Sequence, residues 1–268
     1  MTSSSSGDAD QLMRRASELA LRQDFIAADT ELRVAEELGH PVAAWYRGLL
    51  FIERGMVDEA EAQFRKSDAA GVAEGSYNLG ILLEQIRNDV PAAMSAYQRA
   101  DTRGHVDAPV NLGRLLVQLG RTPEGVAAIQ RGLTRGSRHA HFNLGVVADK
   151  AGDLTAAEEY YRQASALGYA KASSNLALLL RDRGDQASSQ LAFEQGDRQG
   201  SPDCAYQLFI IYYDAGRHAD AEHALERADE RGHAESAYIL ASLYHERGEI
   251  MKANTARRRA ADRGFTGF

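Results

Sequence analysis

The pentapeptide HFNLG occupies residues 141–145 and has three near copies: SYNLG at 76–80, PVNLG at 109–113 and SSNLA at 173–177. Each copy places an Asn before a Leu and a small residue, and successive copies lie 32 or 33 residues apart. Asn is a mediocre helix former, so its recurrence calls for an explanation. Self-similarity at a fixed interval of this length predicts a repeat architecture.

Glycines mark the same period along the whole chain. Their main series has a spacing of 32 residues that is broken by a single 33, and a second series lies sixteen residues after members of the first. Two interleaved series predict two structural elements in each repeat. The main series is Gly7, Gly39, Gly71, Gly104, Gly136, Gly168, Gly200, Gly232 and Gly264, and the second is Gly55, Gly120, Gly152, Gly184, Gly216 and Gly248.

The residues between the glycines predict helices. Ala157, Tyr161 and Ala164 lie on one stripe at about 100° per residue, as on an amphipathic helix. Thr155 followed by Glu158 has the form of a capping box, and Pro91 and Pro123 suit a first helical turn. We therefore expect an all-α fold of about eight stacked antiparallel helix pairs, in which residues 84–94, without a middle glycine, form an irregular turn.

The ends and the composition complete this prediction. We expect a disordered Ser-rich tip over residues 1–8, one repeat array over 9–264 and a short tail over 265–268. Arg257 stands where earlier repeats have a large apolar residue, as expected for an end that no further repeat covers. The net charge of −7 disfavours nucleic acid, which requires clustered Lys and Arg. No apolar run has the length of a membrane span, no signal-peptide pattern is present, and the single Cys204 favours a reducing, cytoplasmic location.

The pattern of Asn-Leu-Gly followed by Gly152, Ala157, Tyr161, Ala164 and Gly168 resembles the tetratricopeptide repeat. The segments ERADERGHAESAY (226–238) and QRADTRGHVDAPV (98–110) look even more like the related Sel1-like repeat. The resemblance covers almost the whole chain, although 32 residues is short for either repeat and the loop insertion typical of Sel1-like repeats is absent. It implies a right-handed α-solenoid whose first helices line a concave groove, and a role as an adaptor, chaperone or scaffold.

The recurring Asn lies about 80° from the centre of the buried stripe, beside the predicted groove. An amide offers both a donor and an acceptor, which matches the backbone of an extended peptide. The same residues could instead bridge neighbouring helices, and the sequence leaves both interpretations open. The predicted ladder consists of Asn78, Asn111, Asn143, Asn175 and Gln207.

Charged and aromatic residues share the groove positions. The cations Arg114, Lys150 and Lys171 lie in the middle repeats, with acids towards both ends, so we expect a protein or peptide partner with an acidic centre. Mixed charge on a solvated face is the alternative. The predicted anchors for a partner side chain are Tyr206, Tyr213, Tyr238 and His245, for which packing between repeats is the alternative. The acids are Glu53, Glu74, Asp203, Asp214, Glu235 and Glu246.

No set of residues points to catalysis. The eight His residues are scattered, and no metal-binding helix, phosphate loop or nucleophile motif is present, so we expect no cofactor and no metal. The sequence thus predicts a non-enzymatic peptide-binding scaffold. A regulatory subunit that docks on a folded enzyme through its outer or terminal surface, including residues 257–259 and the tail GFTGF, is the alternative, and self-association through the ends is a third.

Overall fold

The computed structural model describes the backbone of residues 2–265 and the side chains of residues 7–265. All secondary structure in this part of the chain is helical, which confirms the predicted all-α solenoid class. The sixteen helices are α1 (Thr2–Leu21), α2 (Phe25–Glu37), α3 (Ala43–Glu53), α4 (Val57–Ala69), α5 (Ala73–Gln85), α6 (Val90–Thr102), α7 (Ala108–Gln118), α8 (Thr122–Thr134), α9 (Arg138–Lys150), α10 (Leu154–Ala166), α11 (Ala170–Asp182), α12 (Gln186–Arg198), α13 (Pro202–Asp214), α14 (His218–Glu230), α15 (Ala234–Glu246) and α16 (Ile250–Asp262).

The helices form two compact units, Met1–Ala140 and His141–Phe268. Within each unit, an odd-numbered first helix packs against the even-numbered second helix that follows it, and each second helix packs against the next first helix. These contacts are the ones that a stack of helix pairs requires, since one pair can bury its apolar face only against its neighbours. A single continuous domain over 9–264 stays a prediction.

Left-handed residues end the helices where the glycine series predicts them. Gly152, with a φ of 79°, ends the turn between α9 and α10, and Gly168, with a φ of 85°, follows α10. The segment without a middle glycine uses Asn88, whose φ is 56°, at the corresponding place. Asn tolerates this conformation better than most residues with a side chain, so the repeat continues through its irregular turn.

The start of α10 differs from the sequence prediction. Its N-cap is Asp153, whose carboxylate accepts a hydrogen bond from the Ala156 backbone N–H at 3.0 Å. Thr155 therefore lies inside the first turn, and the predicted capping box is wrong because Asp153 starts the helix two residues earlier and caps the Ala156 N–H. The prolines at 91 and 123 lie in the first turns of α6 and α8, as predicted.

The chain ends also differ in part. Helix α1 begins at Thr2, so residues 2–8, which we expected in a disordered tip, extend the helix that the following residues form. Ser lowers helix stability by only a few tenths of a kcal/mol per residue, roughly, and propagation from an existing helix is cheap compared with nucleation. Of the predicted tail, residues 266–268 lie outside the described part of the chain.

Close approach within the helix pairs explains the recurring small residue. A Cβ added to Gly145 would lie 2.7 Å from the Tyr161 ring, and one added to Gly80 would lie 2.6 Å from the Tyr97 ring. Both rings are completely buried in the cores of their units. The glycine of Asn-Leu-Gly therefore makes room for the large side chain of the second helix.

Among the described residues, Asp–Arg ion pairs connect four couples of neighbouring second helices, which are α4 with α6, α6 with α8, α12 with α14 and α14 with α16. In the first unit, the buried carboxylate of Asp101 binds Arg131 at 2.7 Å and Arg135 at 2.6 Å. Asp68 pairs in the same way with arginines of α6, and Asp197 and Asp229 do so in the second unit. Ala261 stands 32 residues after Asp229, so the series ends with the last helix.

The last helix has the uncovered face that the sequence predicts. Arg257 is exposed. The corresponding residues of earlier second helices are buried, and they are Phe64, Tyr97, Ile129, Tyr161, Phe193 and Leu225.

Candidate partner-binding face

We call the exposed side of the odd-numbered helices the first-helix face, and the predicted site residues lie on it. In the first unit, the Asn111 amide donates a hydrogen bond of 3.4 Å to the Tyr77 hydroxyl. Asn111 also bonds the hydroxyl of Tyr97, which donates to Glu84 at 2.9 Å. Burial, together with the Glu84 carboxylate, raises the pKa of Tyr97 well above its usual range. Asn111 thus links α7 to both helices of the preceding pair.

Asn78 occupies the same repeat position but lacks these contacts. It follows Phe64 by fourteen residues, as Asn111 follows Tyr97, and a Phe has no hydroxyl to offer. The Asn78 amide is half-buried and has no side-chain hydrogen bond within the described residues. Of the ladder in the first unit, Asn78 is therefore the amide that is open to an external partner.

In the second unit, the ladder amides also bond to the scaffold. Asn175 bonds the Tyr161 hydroxyl, which donates to Asp149 at 3.3 Å, and burial raises the pKa of Tyr161 to about 12. Gln207 accepts a hydrogen bond of 3.2 Å from Arg181. Asn143 has an internal interaction as well. The bridging interpretation thus describes what several of these amides do in the free chain, and their contact with a peptide stays a prediction.

The predicted charges divide into paired and unpaired groups. Arg114 forms an ion pair with Glu84, so its charge is compensated within the first unit. Lys150 and Lys171 are exposed in the second unit, and no ion pair involves either of them among the described residues. The acids Asp203, Asp214, Glu235 and Glu246 are exposed on α13 and α15, and Glu53 and Glu74 on α3 and α5.

Two of the four predicted anchors stack on residues that follow turn glycines. The Tyr206 ring lies 4.3 Å from the His233 ring, and the Tyr238 ring lies 4.9 Å from Phe265. Partial burial, together with Glu235, raises the pKa of Tyr206 to about 12. By contrast, Tyr213 is 54% exposed, and His245 is exposed on α15. Tyr213 is thus the most exposed of the three predicted tyrosine anchors.

Phe209 is a residue of this face that the sequence prediction missed. It occupies the small-residue position of the repeat, and its ring lies 5.9 Å from Tyr206 and 5.8 Å from Tyr213. Beside it, an open cavity of about 320 Å³ lies between α13, α14 and α15. The missed signal was the loss of the small residue, since the same position holds Ala16, Gly48, Gly80, Gly113, Gly145, Ala177 and Ala241 in the other repeats.

Within residues 7–265, no three His, Cys, Asp or Glu side chains are arranged to hold a metal ion. Cys204 is buried, and burial raises the pKa of its thiol. No helix of the described chain is long and apolar enough to cross a membrane.

Comparison with known proteins finds a matching repeat and several similar folds. Residues 110–170 match the tetratricopeptide repeat family, and no curated protein matches the chain. The fold is similar to a Sel1 repeat protein from Oxalobacter formigenes, at 19% identity and a TM-score of 0.72, over 97% of this chain and 85% of that chain.

Two further structures are similar. A protective antigen of uropathogenic Escherichia coli strains, which displays an SLR fold, has 19% identity and a TM-score of 0.66 over 97% of this chain and 62% of that chain. A chain of the APC/C hetero-tetramer Cut9-Hcn1 has 17% identity and a TM-score of 0.56, over 95% of this chain and 46% of the compared chain. Residues 110–170 thus match a tetratricopeptide repeat, and the helical-repeat fold of the chain is similar to that of solved Sel1 repeat proteins.

Proposed function

We propose that this chain is a non-enzymatic scaffold that binds an extended segment of a partner protein along its first-helix face. Tetratricopeptide and Sel1-like repeat proteins are generally protein-interaction scaffolds, and one similar structure is a complex of two proteins, Cut9 and Hcn1. The first helices of this chain carry polar and aromatic side chains that an extended peptide could bind. A repeat scaffold supplies such a surface without supplying the identity of the partner.

The open amide of Asn78 is the observation that carries the proposal. It lies half-buried on α5, so a partner that bonds to it would also shield it from water. An amide has two donors and an acceptor, which match the C=O and N–H groups of an extended backbone. Phe64 offers this amide no hydroxyl, so a partner would not have to displace a tyrosine contact there.

Asn111 is a second amide on the first-helix face that could bind a peptide, because one of its hydrogen bonds is weak. Its donation to Tyr77 is long at 3.4 Å, and such a bond is weaker than one near the usual 2.9–3.0 Å. A peptide carbonyl could replace this contact at little loss. Asn111 would then hold its position through Tyr97 while it binds the partner.

Substitution of Asn78 tests the proposal, with Asn254 as the matched control. Asn254 is exposed on the second helix α16, away from the first-helix face. The full chain is used to capture partners, and the affinity for a captured partner is then measured for Asn78→Ala and Asn254→Ala. We expect Asn78→Ala to weaken binding by roughly five-fold, because a hydrogen bond contributes about 1 kcal/mol, while circular dichroism stays unchanged.

Unchanged affinity of Asn78→Ala would reject a role for this amide. Equal losses in both variants would show that the effect is not specific to the first-helix face.

Docking of a folded enzyme on the terminal surface is the competing function. Arg257 and Arg258 are exposed on α16, whereas their neighbour Arg259 is held by Asp229. The double variant Arg257→Glu and Arg258→Glu should leave binding intact under our proposal. Loss of the partner in this variant, with normal binding by Asn78→Ala, would favour the docking function.

A further inference from the structure

Helix α13 and its neighbours carry a row of aromatic and imidazole rings that the other repeats lack at the position of Phe209. His233, Tyr206, Phe209, Tyr213 and His218 form a continuous series of ring contacts with centroid separations of 4.3–5.9 Å. In other first helices, the position of Phe209 is kept small because the second helix packs against it, as Gly145 does with Tyr161. In this pair the second helix carries the smaller Leu225, and Phe209 is only partly buried.

In the preceding repeat, a hydrogen bond between two first helices occupies the position of this cavity. There, Arg181 donates to Gln207 across α11 and α13 at 3.2 Å. Thirty-two residues later, these two positions are Tyr213 and Ile239, which line the open cavity. A polar link between neighbouring first helices is thus replaced by an apolar gap.

The cavity walls are suited to one large apolar side chain. Phe209, Tyr213, Ile239 and Leu243 supply apolar surface, and Ala221 of α14 also lines the space of about 320 Å³. This volume lies at the lower end of the range for sites that hold small ligands. Burying a Phe, Leu or Met side chain there would remove its apolar surface from water and so favour binding.

The charges near the cavity determine which partner residues are favoured on either side of the apolar side chain. Helices α13 and α15 contain no Lys or Arg, and Asp214 and Glu246 are exposed at their C-terminal ends. Arg247 and Glu222 also line the cavity and pair with each other at 2.5 Å, and Arg217 is paired with Asp220 at 2.8 Å. The unpaired carboxylates therefore give this end of the face a net negative charge.

We propose that the cavity beside Phe209 binds a large apolar side chain of a partner segment, and that this anchor is flanked by Lys or Arg. The inference rests on the proposed function and names the sequence that the second unit selects. It differs from the acidic-centred partner expected from the sequence, because Arg247 at the cavity is neutralised by Glu222, whereas Asp214 and Glu246, the chain neighbours of Tyr213 and Arg247, have no ion pair among the described residues.

A peptide selection and a direct binding measurement together test the proposed function and this inference. A display library of random peptides about nine residues long is selected on the immobilised full chain, since four helices about 10 Å apart span about 30 Å and an extended chain rises about 3.3 Å per residue. In parallel, fluorescence anisotropy measures binding of Gly-Ser peptides that carry a central Phe flanked by Lys, the same Phe flanked by Glu, or a central Ser flanked by Lys.

The closing variant is Tyr213→Arg with Ile239→Gln, which copies the polar link of the preceding repeat. The matched control is Arg181→Ala, which removes that link and leaves the cavity unchanged. A second variant, Asp214→Asn with Glu246→Gln, tests the charge without touching the cavity wall. Circular dichroism checks that each variant is folded.

We expect the Lys-flanked Phe peptide to bind at least about ten-fold more tightly than the other two, since a buried Phe and opposite charges both favour it. The closing variant should lose this preference for Phe, and the charge variant should lose the preference for Lys over Glu, while Arg181→Ala keeps both.

Selected peptides that share no apolar and basic pattern, or that bind the closing variant normally, would overturn this inference and leave the proposed function standing. A chain that selects no peptide of any kind would overturn both.

Discussion

A methyl group added at Gly113 should destabilise the first unit, although the same change usually strengthens a helix. A Cβ at this position would lie 2.5 Å from the Gly125 carbonyl oxygen and 2.6 Å from the Ile129 side chain. The carbonyl belongs to the backbone of α8, so α7 and α8 would have to separate. Overpacking costs about 1–3 kcal/mol, and a clash with backbone belongs to the upper part of that range, about 2–3 kcal/mol, of which the higher helix propensity of Ala returns about 1 kcal/mol.

We therefore expect Gly113→Ala to lower the free energy of unfolding by about 1–2 kcal/mol, which corresponds to roughly 2–8 °C in the thermal midpoint. Far-ultraviolet circular dichroism during heating measures this shift. Gly7→Ala in α1 is the matched control, because no neighbouring heavy atom lies within 4 Å of its added Cβ. It should stabilise by up to about 1 kcal/mol. A Gly113→Ala protein as stable as the parent would refute the close packing described for α7 and α8.

Three further measurements probe other features. Burial alone would raise the pKa of Asp197, but hydrogen bonds from two arginines outweigh burial and lower that pKa. The contribution of Asp197 to stability should therefore be full above about pH 4 and be lost as the pH falls through the lowered pKa. Asp197→Asn should flatten this acid dependence of the free energy of unfolding, measured in urea. Burial lowers the pKa of His233, whose neutral ring caps α15, so stability should be full above about pH 6.5 and fall as the pH drops below it. Because burial also lowers the pKa of His105, His233→Ala should reduce this step and leave the part that His105 contributes. Cys204 is buried with a raised pKa, so Ellman's reagent should react with it at the rate of unfolding in the native protein and at once in urea; fast reaction of the native protein would contradict its burial.

The helix pairs could be predicted from the sequence because each is specified locally. The left-handed glycine that ends a helix, the apolar stripe and the small residue of Asn-Leu-Gly all recur at one spacing. The start of α10 was misplaced since two capping residues, Asp153 and Thr155, lie two positions apart and only geometry shows which one accepts the hydrogen bond.

The candidate site was less predictable because its side chains act across repeats. Whether a ladder Asn has an internal partner depends on the residue fourteen positions earlier, which is Tyr97 before Asn111 and Phe64 before Asn78. The stacking of Tyr206 on His233 depends in the same way on a residue in the following turn. Helical angles alone place these residues on a face and say nothing about which neighbours they meet.

Site-specific photo-crosslinking tests the central claim, that partners bind the first-helix face, most directly. A photoreactive phenylalanine analogue replaces Tyr213, which is 54% exposed on α13, or Asn254, which is exposed on the second helix α16. Each protein is irradiated in a lysate and its crosslinked partners are identified by mass spectrometry. Our account predicts that a partner protein is crosslinked at 213 and not at 254. A partner crosslinked at 254 with none at 213 would contradict it.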